Sequence, residues 1–99
     1  MKILIVEDEK DLIQSMASGL KNADMDCDTA ENLQQALSHL ESKKYDCIIL
    51  DIGLPDGSGM RVIEEMNTKD YQAGIIVVSA RHLLDDRLAA LNQIGRAHV

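Results

Sequence analysis

Hydrophobic positions along this chain recur in two rhythms. Short apolar runs of strand length stand at residues 2–6 ("KILIV"), 45–50 ("YDCIIL") and 74–78 ("GIIVV"). Elsewhere apolar residues return every third or fourth position, the spacing of a helix with one buried face. Residues 10–22 place Leu12, Ile13, Met16, Ala17 and Leu20 on such a face. Leu33, Ala36, Leu37 and Leu40 form a second, with Thr29 as the candidate cap. Ser58 is a candidate cap for a third helix carrying Met60, Ile63 and Met66, and residues 83–92 supply a fourth with Leu84, Leu88 and Leu91. Residues 25–29 ("MDCDT") alternate apolar and polar, as an edge strand does.

Strand and helix therefore alternate four times. Continuously apolar strands in such an alternation predict a parallel sheet covered on both faces. Right-handed crossovers leave few windings, and the polar second strand belongs at an edge. The expected fold is α/β, a flavodoxin-like doubly wound sheet in the order 2-1-3-4. In that order the first strand separates Cys27 from Cys47. Two spacings of about 4.8 Å exceed the roughly 7 Å reach of a disulfide.

Composition narrows the chemistry. The chain has 99 residues, is 45% apolar, has no Phe or Trp, and carries a net charge of −7. That charge disfavours nucleic acid as a direct partner and suits a divalent cation. No apolar stretch is long enough for a membrane span, and "MKILIVEDE" turns acidic too soon for a secretory signal, so a cytoplasmic location is expected. Two cysteines are too few for a disulfide scaffold and lack metal spacing; they read as small core residues. The methionines read as packing. His39 is expected to be solvated on the second helix, and His82 has no second ligand at metal spacing.

Ligands of such sheets bind beyond the carboxyl ends of the strands. Glu7 and Asp8 follow the first strand, Asp51 the third and Ser79 the fourth. Those strands are neighbours in the expected order, so three acids and a hydroxyl converge on one rim. Each has a plainer role alone. Glu7 and Asp8 could simply open a helix. Asp51 could bond its own backbone in a turn, and Ser79 could be only a strand-end hydroxyl. Together, three crowded carboxylates repel unless a cation sits among them, and Mg²⁺ is the hard cation that suits carboxylates and phosphoryl oxygens. A carboxylate so placed can attack phosphorus and form an acyl phosphate, with Mg²⁺ neutralising the charge that opposes attack. Asp51 is then expected to be fixed yet open to a donor. Pro55 and Gly57 hold the following loop in a turn. Gly53 lets a backbone carbonyl approach the metal.

The motifs "IVEDE", "IILDIGLPDGSG" and "IIVVSAR" in combination resemble the receiver domain of bacterial response regulators, from Met1 to about Asn92. "SARHLLDDRLAALN" resembles the OmpR/PhoB winged-helix class within it, through Ala80, Arg81, Asp86 and Arg87. The resemblance implies that Asp51 is the phosphoacceptor and that Glu7 and Asp8 are the acidic Mg²⁺ pair. It also makes the Gly53 carbonyl a further metal ligand and Ser79 the switch hydroxyl. A sensor histidine kinase is the implied donor, with specificity on the exposed face of the first helix around Lys10, Gln14 and Ser15. The implied output is homodimerisation of the full-length protein and DNA binding through a further C-terminal domain. Such a chain is not an enzyme, although it accepts a phosphoryl group and can promote its own phosphorylation and dephosphorylation.

Members of that class continue past the fourth helix into a fifth strand, an essential lysine and a fifth helix. Here the chain reads "QIGRAHV" instead, with His98 near the place of the aromatic switch residue. One encoding of "IGRAHV", ATC GGA AGA GCA CAC GTC, resembles the start of a widely used sequencing adapter read in frame. Residues 1–92 are therefore expected to be an incomplete receiver and 93–99 a non-native tail; an ordinary short C-terminus is the other reading. Two other functions stay open. One is an inactive receiver fragment that acts only as a binding module. The other is a phosphatase using an aspartyl phosphate, but the haloacid-dehalogenase pattern needs a second aspartate where Gly53 stands.

Overall fold

The structure, a computed structural model, describes residues 1–78. Ser79, the expected fourth helix and the 93–99 tail lie outside the described residues. Four strands form one parallel sheet: β1 (Lys2–Val6), β2 (Asp26–Ala30), β3 (Cys47–Asp51) and β4 (Gly74–Val78). Helices α1 (Lys10–Asn22), α2 (Leu33–Ser42) and α3 (Met60–Thr68) connect them. The order is β2-β1-β3-β4, as the polar second strand requires. The two central strands, β1 and β3, are deeply buried: Leu4, Val6, Ile48 and Leu50 have no exposed surface.

Paired residues of a parallel ladder share a face. Leu4 pairs with Ile48 and Val6 with Leu50. On their face the core continues through Leu33, Ala36 and Leu40 of α2 and Val62 and Met66 of α3. Ile3 and Ile5 turn to the opposite face, where α1 lies over β1 and β2. Among the described residues β4 is an edge, and Ile76 keeps 53% of its surface exposed. Cys27 and Cys47 both flank Ile3 and are free thiols.

Several local expectations change. The third strand begins at Cys47, because Tyr45 turns into the core and Asp46 stays outside. Its end includes Asp51, which pairs with Val78. The cap of α2 is Asn32 rather than Thr29, which lies inside β2: Asn32 Oδ1 accepts the Gln35 N–H at 2.8 Å. In α3 the buried face is Val62 and Met66, four apart, while Met60 is 45% exposed. The apolar face of α1 is half-buried throughout.

His39 is not simply solvated. Its Nδ1 lies 3.3 Å from the Tyr45 hydroxyl, and the rings meet edge to face. The same hydroxyl donates to Asp28 Oδ2 at 2.6 Å, and Lys43 Nζ lies 3.0 Å from that oxygen. The Tyr45 hydrogen bond, with Lys43 and Lys2 beside it, holds the Asp28 carboxyl below the ordinary range. A depressed carboxyl stabilises the fold at neutral pH and loses that contribution as pH falls through its folded value. Burial, then the Asp28 contact, pushes the Tyr45 phenol up, so Tyr45 stays a donor.

Helices α1 and α3 end alike. Asp24 (φ 59°) and Asp70 (φ 52°) take the left-handed conformation usual for a glycine cap. Tyr71 N–H returns to the Met66 carbonyl at 2.8 Å, which aims Tyr71 inward. The Tyr71 hydroxyl accepts the buried Tyr45 N–H and donates to the Lys43 carbonyl at 3.0 Å. Tyr71→Phe removes that acceptor with almost no change of shape. It is expected to cost about 1–3 kcal/mol, the usual penalty for a buried donor left unsatisfied. Urea unfolding checks this; a loss below about 0.5 kcal/mol contradicts it.

Candidate functional site

The parallel ladder sets the site. Strands β1 and β3 are adjacent and in register, so their carboxyl ends finish side by side. Glu7 follows β1 directly and extends the ladder by one bond, its N–H donating to the Ala30 carbonyl at 2.9 Å. Asp8 comes next, before α1 begins. Asp51 closes β3. One carboxylate oxygen from each of Glu7, Asp8 and Asp51 lies within 4.8 Å of the others. Three of the four rim residues singled out in the sequence are thus together, and Ser79 lies outside the described residues.

Two of the acids also serve locally. Glu7 Oε2 accepts the Asp8 N–H at 2.8 Å and the Glu9 N–H at 3.2 Å, so the carboxylate folds over the entry to α1. Negative charge there suits the helix dipole. Asp51 Oδ1 accepts the Gly53 N–H at 3.1 Å, the turn role expected of an isolated aspartate. The turn role and the clustering therefore coexist. One expectation fails: Asp51 is not open. Asp51 and Glu7 have no exposed surface, and Asp8 is half-buried. The cause is register, since Asp51 is the last residue of an interior strand and the following loop folds back beside it.

That loop is pinned at both ends. Gly53–Leu54 pairs antiparallel with Gly57–Ser58, leaving Pro55 and Asp56 at the tip. Leu54 is anchored in the core. At the base, the Ile52 carbonyl accepts the Gly59 N–H at 2.7 Å and the Leu54 N–H at 3.2 Å. Gly59 sits so close that a Cβ there would collide with the Asp51 carbonyl oxygen and stand 3.0 Å from Ile52 Cα. At the tip, Gly57 takes φ 150°, as only glycine does readily, facing Leu33. Asp56 reaches across to α2: Oδ1 accepts the Leu33 N–H at 2.7 Å and Oδ2 the Gln34 N–H at 3.0 Å. The Leu33 bond, then the Gln34 bond against some desolvation, holds its carboxyl below the usual range. Ser58 Oγ accepts the Met60 N–H at 3.2 Å, as expected of a cap, although Gly59 is the residue at the cap position.

Sequence reasoning missed Gly59 and Asp56. For Gly59 the signal was present, a glycine just before a helix. Asp56 has its partners 22 and 23 residues away, and no local pattern marks that.

Chemically, the rim offers clustered, anionic, hard oxygen donors. These suit Mg²⁺ or Ca²⁺ and not a thiolate-seeking metal. At about 4.8 Å and an effective dielectric of about 20, each pair of full charges would repel by about 3 kcal/mol, which favours a cation among them. The donor set fits a small hard cation.

Comparisons with known proteins agree with this architecture. The model of the family described as "Response regulator receiver domain" matches residues 3–98. The transcriptional regulatory protein PmrA of Pectobacterium parmentieri is 35% identical over 92 residues, covering 93% of this chain and 41% of the relative. The KDP operon transcriptional regulatory protein KdpE of Escherichia coli is 40% identical over 91 residues, covering 91% and 40%. The chain thus spans about two-fifths of the length of these relatives. Among solved structures, the response regulator protein TrrA of Thermotoga maritima, in complex with the histidine kinase ThkA, superposes with TM-score 0.73 at 38% identity. That match covers 80% of this chain and 68% of the matched chain of the complex. TrrA bound to Mg²⁺ and BeF matches with TM-score 0.67 at 26% identity, over 94% and 97%. No helix among the described residues is long and apolar enough to cross a membrane.

Gly59→Ala is expected to cost about 1–3 kcal/mol, because the neighbour is backbone and cannot swing away. Gly19→Ala in α1, where a Cβ would meet nothing within 4 Å, is the control and is expected to gain about 0.5–1 kcal/mol. Urea midpoints at unchanged slope compare the two; a neutral Gly59→Ala contradicts the packing argument.

Proposed function

The chain belongs to the response regulator receiver domain family and fits its OmpR/PhoB class, and from that membership we propose that Asp51 accepts a phosphoryl group from a sensor histidine kinase. The observation that carries the reading is the meeting of Glu7, Asp8 and Asp51 at the carboxyl ends of β1 and β3. Glu7, Asp8, Asp51 and the Gly53 carbonyl are the residues that would hold Mg²⁺. When bound, the ion supplies positive charge against which an anionic nucleophile can meet an anionic phosphoryl group.

In the transfer, a carboxylate oxygen of Asp51 attacks phosphorus. The bond from phosphorus to the donor imidazole nitrogen breaks, and that nitrogen leaves with the electron pair. The product is an aspartyl phosphate, an acyl phosphate. The Gly53 N–H, bonded to Asp51 Oδ1, fixes the direction of the carboxylate before attack. Because Asp51 is buried, transfer requires the rim to open toward the donor. Ser79 would then turn its hydroxyl toward the new phosphoryl oxygens. This is the local change in charge and hydrogen bonding that can bias a two-state element.

The relatives' names support the wider assignment. PmrA and KdpE are transcriptional regulatory proteins, and TrrA has been solved with a histidine kinase and with Mg²⁺ and BeF. By this reading the chain works in the cytoplasm as the receiving part of a transcription regulator. Homodimerisation and DNA contact belong to the longer protein.

The test is labelling of the chain by a phosphorylated histidine kinase or by acetyl phosphate. A Mg²⁺-dependent, acid-stable and base-labile label is expected, lost to background in Asp51→Asn. A label that survives Asp51→Asn contradicts the assignment. So does multiple turnover on a phosphomonoester, which would favour a phosphatase.

A further inference from the structure

The loop from Ile52 to Gly59 has an attachment that the proposed chemistry does not use. Asp56 commits both carboxylate oxygens to the first two backbone N–H groups of α2, at 2.7 and 3.0 Å. Helix α2 already has its own cap. Asn32 Oδ1 takes the Gln35 N–H, and Gln35 Oε1 accepts the Glu31 N–H at 2.8 Å in return. With Asp56 added, the N–H groups of Leu33, Gln34 and Gln35 all have side-chain acceptors. Such complete satisfaction of a helix start by two separate segments ties one segment to the other.

The tie leads to Asp51 in few steps. Asp56 is at the tip of a hairpin whose two pairs are Leu54 with Gly57 and Gly53 with Ser58. Gly53, at the base, is the residue whose N–H holds Asp51 Oδ1. Gly57 faces Leu33 with no room to spare, a Cβ at that glycine standing 3.0 Å from Leu33 Cδ2. A hairpin of two pairs is too short to absorb a displacement at its tip.

We infer that Asp56 is a positioning residue for Asp51: by gripping the first turn of α2 it fixes the far end of the loop whose near end orients the phosphoacceptor carboxylate. The inference rests on the proposed function for the identity of the metal and of the transferred group. Its mechanical part does not. The bond donated by an α-helix N-terminus to a carboxylate is charge-assisted, and the dipole favours it further. Asp56 is itself exposed, as are Pro55, Gly57 and Ser58, so the grip rests on its two backbone bonds and not on burial.

The experiment compares the full chain with Asp56→Ala, Asp56→Asn and Asn32→Ala. Asn32→Ala weakens α2 at its own cap and leaves the loop attachment in place, so it separates helix stability from positioning. Two readouts are taken: amide hydrogen exchange at Gly53 and Gly59, and Mg²⁺ affinity by titration. Asp56→Ala is expected to speed exchange at both glycines by about tenfold or more and to weaken Mg²⁺ by about three- to tenfold. Asp56→Asn keeps one acceptor oxygen and should fall between it and the parent chain. Asn32→Ala should change both readouts by less than about twofold. Equal effects in Asn32→Ala and Asp56→Ala, or unchanged exchange at Gly53 and Gly59 in Asp56→Ala, overturn the inference. If the parent chain takes up no Mg²⁺, the proposed function fails while the glycine exchange still decides the role of Asp56.

Discussion

Like charges held together against their repulsion are what the rest of this structure serves. Glu7, Asp8 and Asp51 come from two strands that are far apart in sequence and adjacent in the sheet. Left to themselves three carboxylates would separate into water. Two of them are fixed by backbone: Glu7 by the ladder bond to Ala30 and by the amides of Asp8 and Glu9, Asp51 by strand pairing and by Gly53. Behind them, Leu4, Val6, Ile48 and Leu50 are fully buried and lock β1 against β3. Burying those side chains stabilises by roughly 1.5–3 kcal/mol each, together of the same order as the three pairwise repulsions of about 3 kcal/mol. The aliphatic centre and the acidic rim are therefore one arrangement.

The loop after Asp51 extends the same logic. Its base is held by the Ile52 carbonyl and the space allowed only by Gly59, its middle by Leu54 in the core, its tip by Asp56 on α2. The carboxylate role proposed for Asp51 needs placement within fractions of an ångström, and a free loop does not provide it. Here three unlike interactions do so over eight residues, and they connect Asp51 to a helix on the far side of β1.

Much of this was legible in the chain. Unbroken aliphatic runs marked the central strands, the alternating "MDCDT" marked an edge, and strand ends marked the rim, because all three depend on local pattern. What was not legible depends on partners distant in sequence. Thr29 looked like a cap, but strand pairing with Ile5 took it and left Asn32 to start the helix. Met60 looked buried at helical spacing, yet the face of α3 toward the sheet runs through Val62 and Met66. His39 looked solvated because its partner, Tyr45, lies beyond the end of its own helix. The burial of Asp51 followed from one residue of register that no run of letters fixes.

A cation among the crowded carboxylates would stabilise the folded chain. Urea unfolding of the chain at a series of Mg²⁺ concentrations, with ionic strength held constant, tests it most directly. Stability is expected to rise with free Mg²⁺ by up to about 1.4 kcal/mol per tenfold once the site is filling, as for a ligand bound only by the folded state. Stability independent of Mg²⁺ across the millimolar range would contradict it, and the acidic rim would then be a feature of the loop and helix starts alone.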